Sequence, residues 1–147
     1  MSLRVSLKKI EEGAILPTYG SAEAAGADLY ALPGADVTLE PGQTVLIRTG
    51  VAMAIPSGYV GLIYARSGLA TKQGLAPANK VGVIDADYRG EILVPLHNHS
   101  AVARTVAGGE RIAQLVVTPF LKADFVLRDA LDDTARGEHG FGSTGTK

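Results

Sequence analysis

Hydrophobic and polar residues alternate with a period of two along most of this sequence. Leu3, Val5 and Leu7 are separated by single polar residues, which is the pattern of a strand with one buried face. Turn-forming Pro and Gly residues separate similar short segments further along, at spacings of roughly 8–12 residues. The pattern therefore predicts an all-β sandwich or barrel. The further predicted strands are Ala27–Ala31, Asp36–Leu39, Thr44–Ile47, Val51–Ile55, Tyr59–Tyr64, Lys80–Ile84, Glu91–Leu96, Val102–Val106, Arg111–Val117 and Ala123–Leu127.

Two segments depart from this alternation. Ser67–Gly74 combines helix-forming residues with Ser67 as a candidate N-cap and Gly74 as a terminator, which predicts one short helix. From Leu131 onward the sequence is polar and rich in glycine, and such a segment is free in solution or becomes ordered on a ligand or partner. We predict a β-domain over residues 1–130 and a flexible C-terminal arm over residues 131–147.

The composition narrows the classes of function. The chain has 147 residues, a formal net charge of -1 and no Cys, which excludes a disulfide framework, a thiolate metal site and a thiol nucleophile. A charge near zero gives no basic surface for nucleic acid, and no apolar run approaches the roughly 20 residues of a membrane span. The N-terminus lacks the apolar block of a signal peptide. We expect a cytoplasmic protein with no nucleic-acid or membrane partner.

Arg66, Ser67 and Gly68 form the first segment suited to binding. They stand at the junction between a predicted strand and the predicted helix, where backbone N–H groups and a guanidinium fork can hold phosphate oxygens. The alternative interpretation is a capped helix with a surface arginine.

The second segment is a predicted β-hairpin over Asn79–Gly90. Two apolar strands flank a turn that carries Asp85 and Tyr88. A carboxylate held beside Val83 and Ile84 can act as a general base toward water. The alternative is an ordinary acidic turn, since Asp and Gly are residues that turns prefer.

The third segment is Arg136–Gly145, at the end of the polar arm. Its glycines allow close backbone approach to an anion, its Ser and Thr hydroxyls can donate hydrogen bonds, and Phe141 can cover a flat base. The alternative is a flexible terminus with no function.

Taken in order, five segments resemble the five motifs of the trimeric dUTPase family (deoxyuridine triphosphate nucleotidohydrolases). They are Ala25–Ala31, Ala65–Ala70, Gly82–Gly90, Gly109–Leu115 and Arg136–Gly145. The resemblance spans nearly the whole chain, whose length fits a single family domain. One departure is Ala65, where the family more often has Pro. It would loosen the turn before Arg66, but it removes no functional group.

The resemblance implies a jelly-roll-like β-barrel with one short helix and a flexible glycine-rich C-terminal arm. It also implies a homotrimer whose active sites are shared between subunits. The implied reaction converts dUTP and water to dUMP and diphosphate, which lowers dUTP and supplies dUMP for thymidylate synthesis. The implied enzyme is a dUTP diphosphatase, and its cofactor is Mg²⁺, carried mainly by the triphosphate.

The resemblance also implies roles for individual residues. Asp85 would deprotonate the water that attacks the α-phosphorus, and Tyr88 would lie beneath the deoxyribose and exclude a 2′-hydroxyl. Asn79 would bind the polar edge of uracil, and Phe141 would stack over it. Asp28 would hydrogen-bond to waters on the Mg²⁺ ion. The implied phosphate contacts come from Arg66, Ser67, Gly68, Gln114, Arg136, Ser143 and Thr144, and Gly142 is a further implied substrate-binding residue.

Two alternative functions can be compared with the dUTP hydrolase at particular residues of this sequence. A dCTP deaminase shares this fold, but its catalytic Glu lies ten positions beyond the hairpin Asp, where this chain has Pro95. A proline side chain cannot transfer a proton. A non-catalytic nucleotide-sensing module would have lost Asp85, Tyr88 or the arm, and all are present. The sequence therefore favours the hydrolase.

Overall fold

The computed structural model of the protein describes residues 2–145 and consists mainly of short strands. In chain order the elements of this range are β1 (Ser6–Lys9), β2 (Thr18–Tyr19), β3 (Ala27–Tyr30), β4 (Val37–Leu39), β5 (Thr44–Ala54), β6 (Tyr59–Tyr64), α1 (Ser67–Gln73), β7 (Leu75–Pro77), β8 (Gly82–Ile84), β9 (Glu91–Asn98), β10 (Arg104–Val106) and β11 (Arg111–Pro119).

The strands form two larger antiparallel sheets and one small one. The five-stranded sheet has the order β2-β3-β11-β6-β8, the four-stranded sheet has the order β1-β5-β9-β7, and β10 pairs with β4. This arrangement confirms the predicted all-β, jelly-roll-like fold. Within the described residues the sheets do not close into one continuous barrel.

The hydrophobic core draws on both larger sheets. Leu29 and Ile112 from the five-stranded sheet, and Val94 and Leu96 from the four-stranded sheet, are each at most 1% exposed. Burying a side chain of this size stabilises a protein by about 1.5–3 kcal/mol. The core therefore fixes the two sheets against one another, and with them the loops that leave their ends.

Strand β5 is longer than the sequence predicts, because a bulge joins two predicted strands. Gly50 has a φ of 73°, a left-handed conformation that glycine adopts without steric cost. The register with β9 shifts between Arg48 and Ala52. The bulge lies beside the start of β9, where Arg48 reaches the carboxylate of Glu91.

The N-cap of helix α1 lies one residue earlier than the sequence predicts. Arg66 occupies the N-cap position without a side-chain capping hydrogen bond, so the prediction of Ser67 as N-cap is wrong. The predicted terminator is confirmed, because Gly74 has a φ of 69° and its N–H donates to the Ala70 carbonyl at 3.1 Å. Across residues 2–145, no helix is long and apolar enough to cross a membrane.

Residues 120–145, which follow β11, form no strand, so the prediction of a strand at Ala123–Leu127 is wrong for the single chain. The side chains of Leu121, Phe125 and Leu127 are 98%, 93% and 94% exposed. A strand needs a neighbouring strand to pair its backbone groups, and in the described part of the chain none pairs with this segment. A run of exposed apolar residues of this kind is typical of a surface that another chain covers.

Candidate active site

The register of β11 brings several predicted site residues together. Gln114 on β11 lies opposite Asp28 on β3, and opposite Tyr64 at the end of β6. The chain leaves β6 directly into Arg66, so the start of α1 meets the same place. The resulting cavity, here called the β11 pocket, has a volume of about 230 Å³. It is lined by Gly20, Ala24, Gly26, Asp28, Arg66, Ser67, Gly68 and Gln114.

Two arginines neutralise the one carboxylate of the β11 pocket. Arg66 Nε donates to Asp28 Oδ1 at 3.0 Å, and Arg111 Nη1 lies 3.7 Å from Asp28 Oδ2. Arg66 Nη1 also donates to the Arg111 carbonyl at 3.4 Å. Because two guanidinium groups face one carboxylate, this side of the pocket is suited to an anionic ligand.

Gln114 is held in one orientation by its backbone neighbours. Its Nε2 donates to the Ala65 carbonyl at 2.8 Å. A Cβ atom at Gly26 would lie 2.9 Å from Gln114 Cδ, which is closer than real Cβ contacts come. Only a glycine at position 26 leaves room for the amide in this position.

The loop that carries Asp85 and Tyr88 connects the two larger sheets. Strand β8 pairs with β6 in the five-stranded sheet, whereas β9 lies between β5 and β7 in the four-stranded sheet. The prediction of a β-hairpin over this segment is therefore wrong, because its two flanking strands do not pair with each other. We call residues 85–90 the β8–β9 loop. Its turn is closed by the Tyr88 N–H, which donates to the Asp85 carbonyl at 3.1 Å.

Asp85 is exposed and borders a wide groove of about 740 Å³. Apolar side chains form much of the wall of this groove. Val83 is one of them, and the sequence predicts that it lies beside Asp85. The groove is lined by Ser57, Gly58, Tyr59, Val60, Leu62, Val83, Asp85, Ala86, Asp87, Phe120 and Lys122. The carboxylate is thus open to water and to a ligand in the single chain.

Tyr88 lies against the backbone that enters β9. Its hydroxyl donates to the Glu91 carbonyl at 2.8 Å, and a Cβ atom at Gly90 would lie 2.6 Å from its Cζ. The rest of the ring is open, because 42% of Tyr88 is exposed. One side of the ring is therefore fixed and the other is available to a ligand.

Asn79 lies three residues before β8, and its side chain is close to Gly82, the first residue of that strand. Its side chain is exposed, and a Cβ atom at Gly82 would lie 3.2 Å from Asn79 Nδ2. The following residue, Lys80, has a φ of 66°, so the chain turns sharply here. The amide is thereby presented beside β8, the strand that leads to Asp85.

The described hydrogen bonds of the C-terminal segment join residues of that segment to one another. Phe141 is fully exposed, with a φ of 50°. Arg136 Nε donates to the His139 carbonyl at 2.6 Å, and the Ser143 N–H donates to the Gly140 carbonyl at 3.1 Å. Arg136, Phe141, Gly142, Ser143 and Thr144 are all exposed. The end of the predicted arm, residues 146 and 147, lies outside the described residues.

The side chains between residues 2 and 145 form no group of three or more potential ligands that could hold a metal ion. Both oxygens of Asp28 already face arginines. Each carboxylate oxygen has a second acceptor site, however, so Asp28 can still accept a hydrogen bond from water. These residues fit an ion that arrives on a ligand with its own water shell.

Comparison with known proteins agrees with the motifs. The family model described as dUTPase matches residues 12–145. The deoxyuridine 5'-triphosphate nucleotidohydrolase of Syntrophotalea carbinolica is 44% identical over 144 residues, covering 98% of each chain. The chain belongs to the dUTPase family.

Solved structures of dUTPases share the fold along the chain. The dUTPase of Staphylococcus bacteriophage 80alpha with dUPNHPP matches with a TM-score of 0.89 and 29% identity, covering 99% of this chain and 100% of that one. A variant dUTPase from phage phi11 of S. aureus, described with a structural Mg(II) ion, matches with a TM-score of 0.79 and 26% identity. That match covers 87% of this chain and 98% of the phage chain.

The dUTPase motifs therefore fall in three separate places in the single chain. Asp28, Arg66, Ser67, Gly68 and Gln114 meet in the β11 pocket, whose lining includes neither the β8–β9 loop nor the arm. Asn79, Asp85 and Tyr88 surround β8, and the arm residues touch neither region through the hydrogen bonds described above.

Several residues that shape these places were not predicted from the sequence. Arg111 reaches Asp28 because β11 shifts register against β3 between Arg111 and Ala113, and no sequence pattern marks that irregularity. Glu91 and Arg48 form a bidentate pair behind Tyr88. Their only sequence signal is that Glu91 directly follows the third motif.

Proposed function

We propose that this member of the dUTPase family hydrolyses dUTP to dUMP and diphosphate with Asp85 as the general base. The water oxygen bonds to the α-phosphorus, the bond from that phosphorus to the bridging oxygen of diphosphate breaks, and Asp85 takes a proton from the water. The observation that carries the proposal is that one dUTPase fold presents both an arginine-lined pocket and, on the β8–β9 loop, the exposed carboxylate of Asp85. Positioning, charge neutralisation and one base suffice for such a reaction.

The β11 pocket would hold the phosphate chain of dUTP. Arg66 can turn its remaining N–H groups to phosphate oxygens, and Gln114 Nε2 has a second N–H besides the one that Ala65 accepts. Ser67 and Gly68 add a hydroxyl and exposed backbone N–H groups at the start of α1. The two arginines on Asp28 keep the pocket attractive to a polyanion.

The residues around β8 would bind the nucleoside. Tyr88, fixed on one side by Glu91, can lie beneath the deoxyribose and leave no room for a 2′-hydroxyl. The exposed amide of Asn79 and the neighbouring backbone can pair with the polar edge of uracil. This arrangement would select both the sugar and the base of dUTP.

Mg²⁺ would enter as part of the substrate, held mainly by the triphosphate oxygens. Bound there, the ion neutralises phosphate charge. Asp28 would accept a hydrogen bond from one of its waters, which the free acceptor sites of its carboxylate allow. The dUTPases are generally Mg²⁺-dependent, which agrees with this assignment.

We also propose that the active enzyme is a homotrimer with shared sites. In one chain the β11 pocket and the β8–β9 loop line different cavities, although one substrate must touch both. The apolar side chains of Leu121, Phe125 and Leu127 are each exposed, and a neighbouring subunit would cover them. A phosphate pocket from one subunit and a loop from the next would then meet at each junction.

The arm, residues 131–147, would close over the bound nucleotide as a segment distinct from the domain of residues 1–130. Phe141 has no packing of its own and can stack on the uracil ring. Arg136, Gly142, Ser143 and Thr144 would contact the terminal phosphate. Closure would exclude bulk water and strengthen the charge contacts that remain.

The alternative of a dCTP deaminase lacks a side chain that can transfer a proton at the position of that enzyme's catalytic Glu. Pro95, at the position where that enzyme type has its catalytic Glu, pairs with Leu46 inside the four-stranded sheet. A cytoplasmic location stays a prediction from the composition alone.

Pyrophosphate release in the presence of Mg²⁺ tests the proposal. We expect kcat/KM for dUTP to exceed the values for dCTP, dTTP and UTP by at least about 10²-fold, because unpaired polar groups and steric exclusion reject the wrong substrates. Ammonia release from dCTP would instead support the deaminase. Equal hydrolysis of all four nucleotides would contradict the proposed selection.

A further inference from the structure

The ring of Tyr88 rests on a glycine that has no room for any side chain. A Cβ atom at Gly90 would lie 2.6 Å from Tyr88 Cζ and 2.9 Å from Cε1, well inside van der Waals contact. Gly90 is not in the left-handed region of φ, so its backbone conformation alone does not require glycine. The contact with the Tyr88 ring is therefore the feature that an added methyl group would disturb.

The hydroxyl of Tyr88 is fixed by a backbone group that is itself anchored. It donates to the carbonyl of Glu91 at 2.8 Å. The Glu91 carboxylate accepts from Arg48 Nε at 3.1 Å, from Arg48 Nη2 at 3.0 Å and from the Gly50 N–H at 3.1 Å. Such a bidentate, charge-assisted contact has a defined geometry, so it ties the first residue of β9 to the bulge of β5.

Arg48 is itself oriented from a second direction. Its Nη2 also contacts Glu11 Oε1 at 3.1 Å. The Glu91 side chain is only 16% exposed, whereas those of Arg48 and Glu11 are 47% and 49% exposed. The buried end of this network is thus the end nearest to Tyr88. Burial raises the pKa of Glu91, but the hydrogen bonds from Arg48 and Gly50 outweigh it and lower the pKa below its ordinary value.

We infer that Gly90 and the Arg48–Glu91 pair are positioning residues that set the plane of Tyr88, and through it the preference for deoxyribose over ribose. The inference rests on the proposed role of Tyr88 beneath the sugar. It adds that this role depends on a seat, formed by Gly90, and an anchor, formed by the Glu91 carbonyl. An aromatic ring can reject one extra oxygen only if it cannot move away from it, and both contacts restrict that movement.

The substitution Gly90→Ala tests the seat. The new methyl group should displace the Tyr88 ring and reduce the ratio of kcat/KM for dUTP over UTP by about 10-fold or more, since small misplacements of a binding group have effects of this size. Gly13→Ala is a matched control. Like Gly90, Gly13 is not in the left-handed region of φ, but a Cβ added there meets no atom within 4 Å. The control should keep the wild-type ratio.

A double-mutant cycle separates displacement of the ring from damage to the loop. In a Tyr88→Ala background the ring is gone, so Gly90→Ala should cause no further change in the binding of dUPNHPP or of the corresponding ribonucleotide analogue. An additional loss of the same size as in the wild type would overturn the inference, because Gly90 would then act through the backbone. An unchanged substrate ratio in the single Gly90→Ala variant would also overturn it.

The anchor has its own test, and the outcomes distinguish this inference from the proposed function. Glu91→Gln and Tyr88→Phe should each lower the dUTP over UTP ratio by several-fold, with KM more affected than kcat. If Tyr88→Ala leaves the ratio unchanged, the proposed role of Tyr88 is wrong. If Tyr88→Ala lowers the ratio but Gly90→Ala, Glu91→Gln and Tyr88→Phe do not, only the positioning inference fails.

Discussion

The β11 pocket and the β8–β9 loop are held in place by different means. The pocket is built around two paired strands of one sheet, where Gln114 lies opposite Asp28 and two arginines contact the Asp28 carboxylate. The loop crosses between two sheets and exposes Asp85, and its main fixed points are backbone contacts of Tyr88. The pocket is therefore preformed in one chain, whereas the loop presents its groups outward to a ligand or another chain.

This difference separates affinity from chemistry. The pocket supplies charge that attracts a phosphate chain whatever nucleoside it carries. The loop supplies the proposed base and the proposed contact with the sugar. Substitutions in the pocket should thus act mainly on KM for all nucleotides, and substitutions in the loop on kcat and on the choice of substrate.

The largest effect should come from Asp85→Asn. Loss of the general base should lower kcat for dUTP by at least about 10²-fold, while the binding of dUPNHPP is kept because the β11 pocket is untouched. Steady-state hydrolysis and calorimetric binding check the two halves of this statement. Asp87→Asn is the matched control on the same loop and should keep most of the activity. A wild-type rate in Asp85→Asn would show that another residue is the general base.

Truncation before Arg136 should have the next largest effect, because the arm is proposed to join what the pocket and the loop hold separately. The last strand ends at Pro119, so the truncated chain should still fold and assemble. We expect kcat/KM for dUTP to fall by about 10–10²-fold, with loss in kcat as well as in KM. Sedimentation of both proteins checks the trimer. Full activity in the truncated trimer would show that the arm is dispensable, and a monomeric active enzyme would refute the shared site.

One side of the β11 pocket could be predicted from the sequence, because Arg66, Ser67 and Gly68 form a local motif at the junction of a strand and a helix. The start of α1 lies beside Arg66, as the sequence predicts, although Arg66 and not Ser67 occupies the cap. The neighbourhood of Gln114 and Asp28 depends instead on the pairing of β11 with β3. Such pairing joins residues far apart in the sequence, and here it was supplied only by resemblance to the family.

The loop and the segment after β11 show what the sequence could not determine. Two apolar strands around a turn are typical of a hairpin, but β8 pairs with β6 in one sheet, and both edges of β9 are occupied by β5 and β7 in the other. The alternation at Ala123–Leu127 predicts a strand that the single chain leaves unpaired. The sequence pattern indicates that one face of a strand is apolar and will be buried. It does not indicate whether the same chain or another chain covers that face.

A smaller effect is expected from Gly26→Ala, which tests how rigid the β11 pocket is. The added methyl group would occupy the space of the Gln114 amide and should break its contact with Ala65. KM for dUTP should rise by about 5–10-fold with little change in kcat, which corresponds to the loss of roughly one hydrogen bond between uncharged groups. Gly13→Ala is the matched control, since Gly13 lies outside the β11 pocket and a Cβ at this position meets no atom within 4 Å. If Gly26→Ala changes the ratio of kcat/KM for dUTP over UTP, the proposal that the pocket binds phosphate and the loop selects the sugar is wrong.

The smallest effect should appear in the pH dependence of stability, through the anchor of the loop. Burial raises the pKa of Glu91, but the hydrogen bonds from Arg48 and Gly50 lower it below its ordinary value in the folded protein. A carboxyl with a lowered folded pKa stabilises the fold above its unfolded pKa of about 4.3, and this contribution is lost as the pH falls through the folded value.

Thermal unfolding of the wild type and of Glu91→Gln between pH 7 and pH 3 measures this contribution. Other carboxylates titrate in the same range, so the informative quantity is the difference between the two proteins. The variant should unfold about 2–4 °C lower at pH 7, a modest change for a domain of this size, and the gap should narrow as the pH falls below the unfolded pKa of about 4.3. A gap that stays constant over the whole range would mean that the Glu91 charge does not anchor the β8–β9 loop, and that packing alone holds the start of β9.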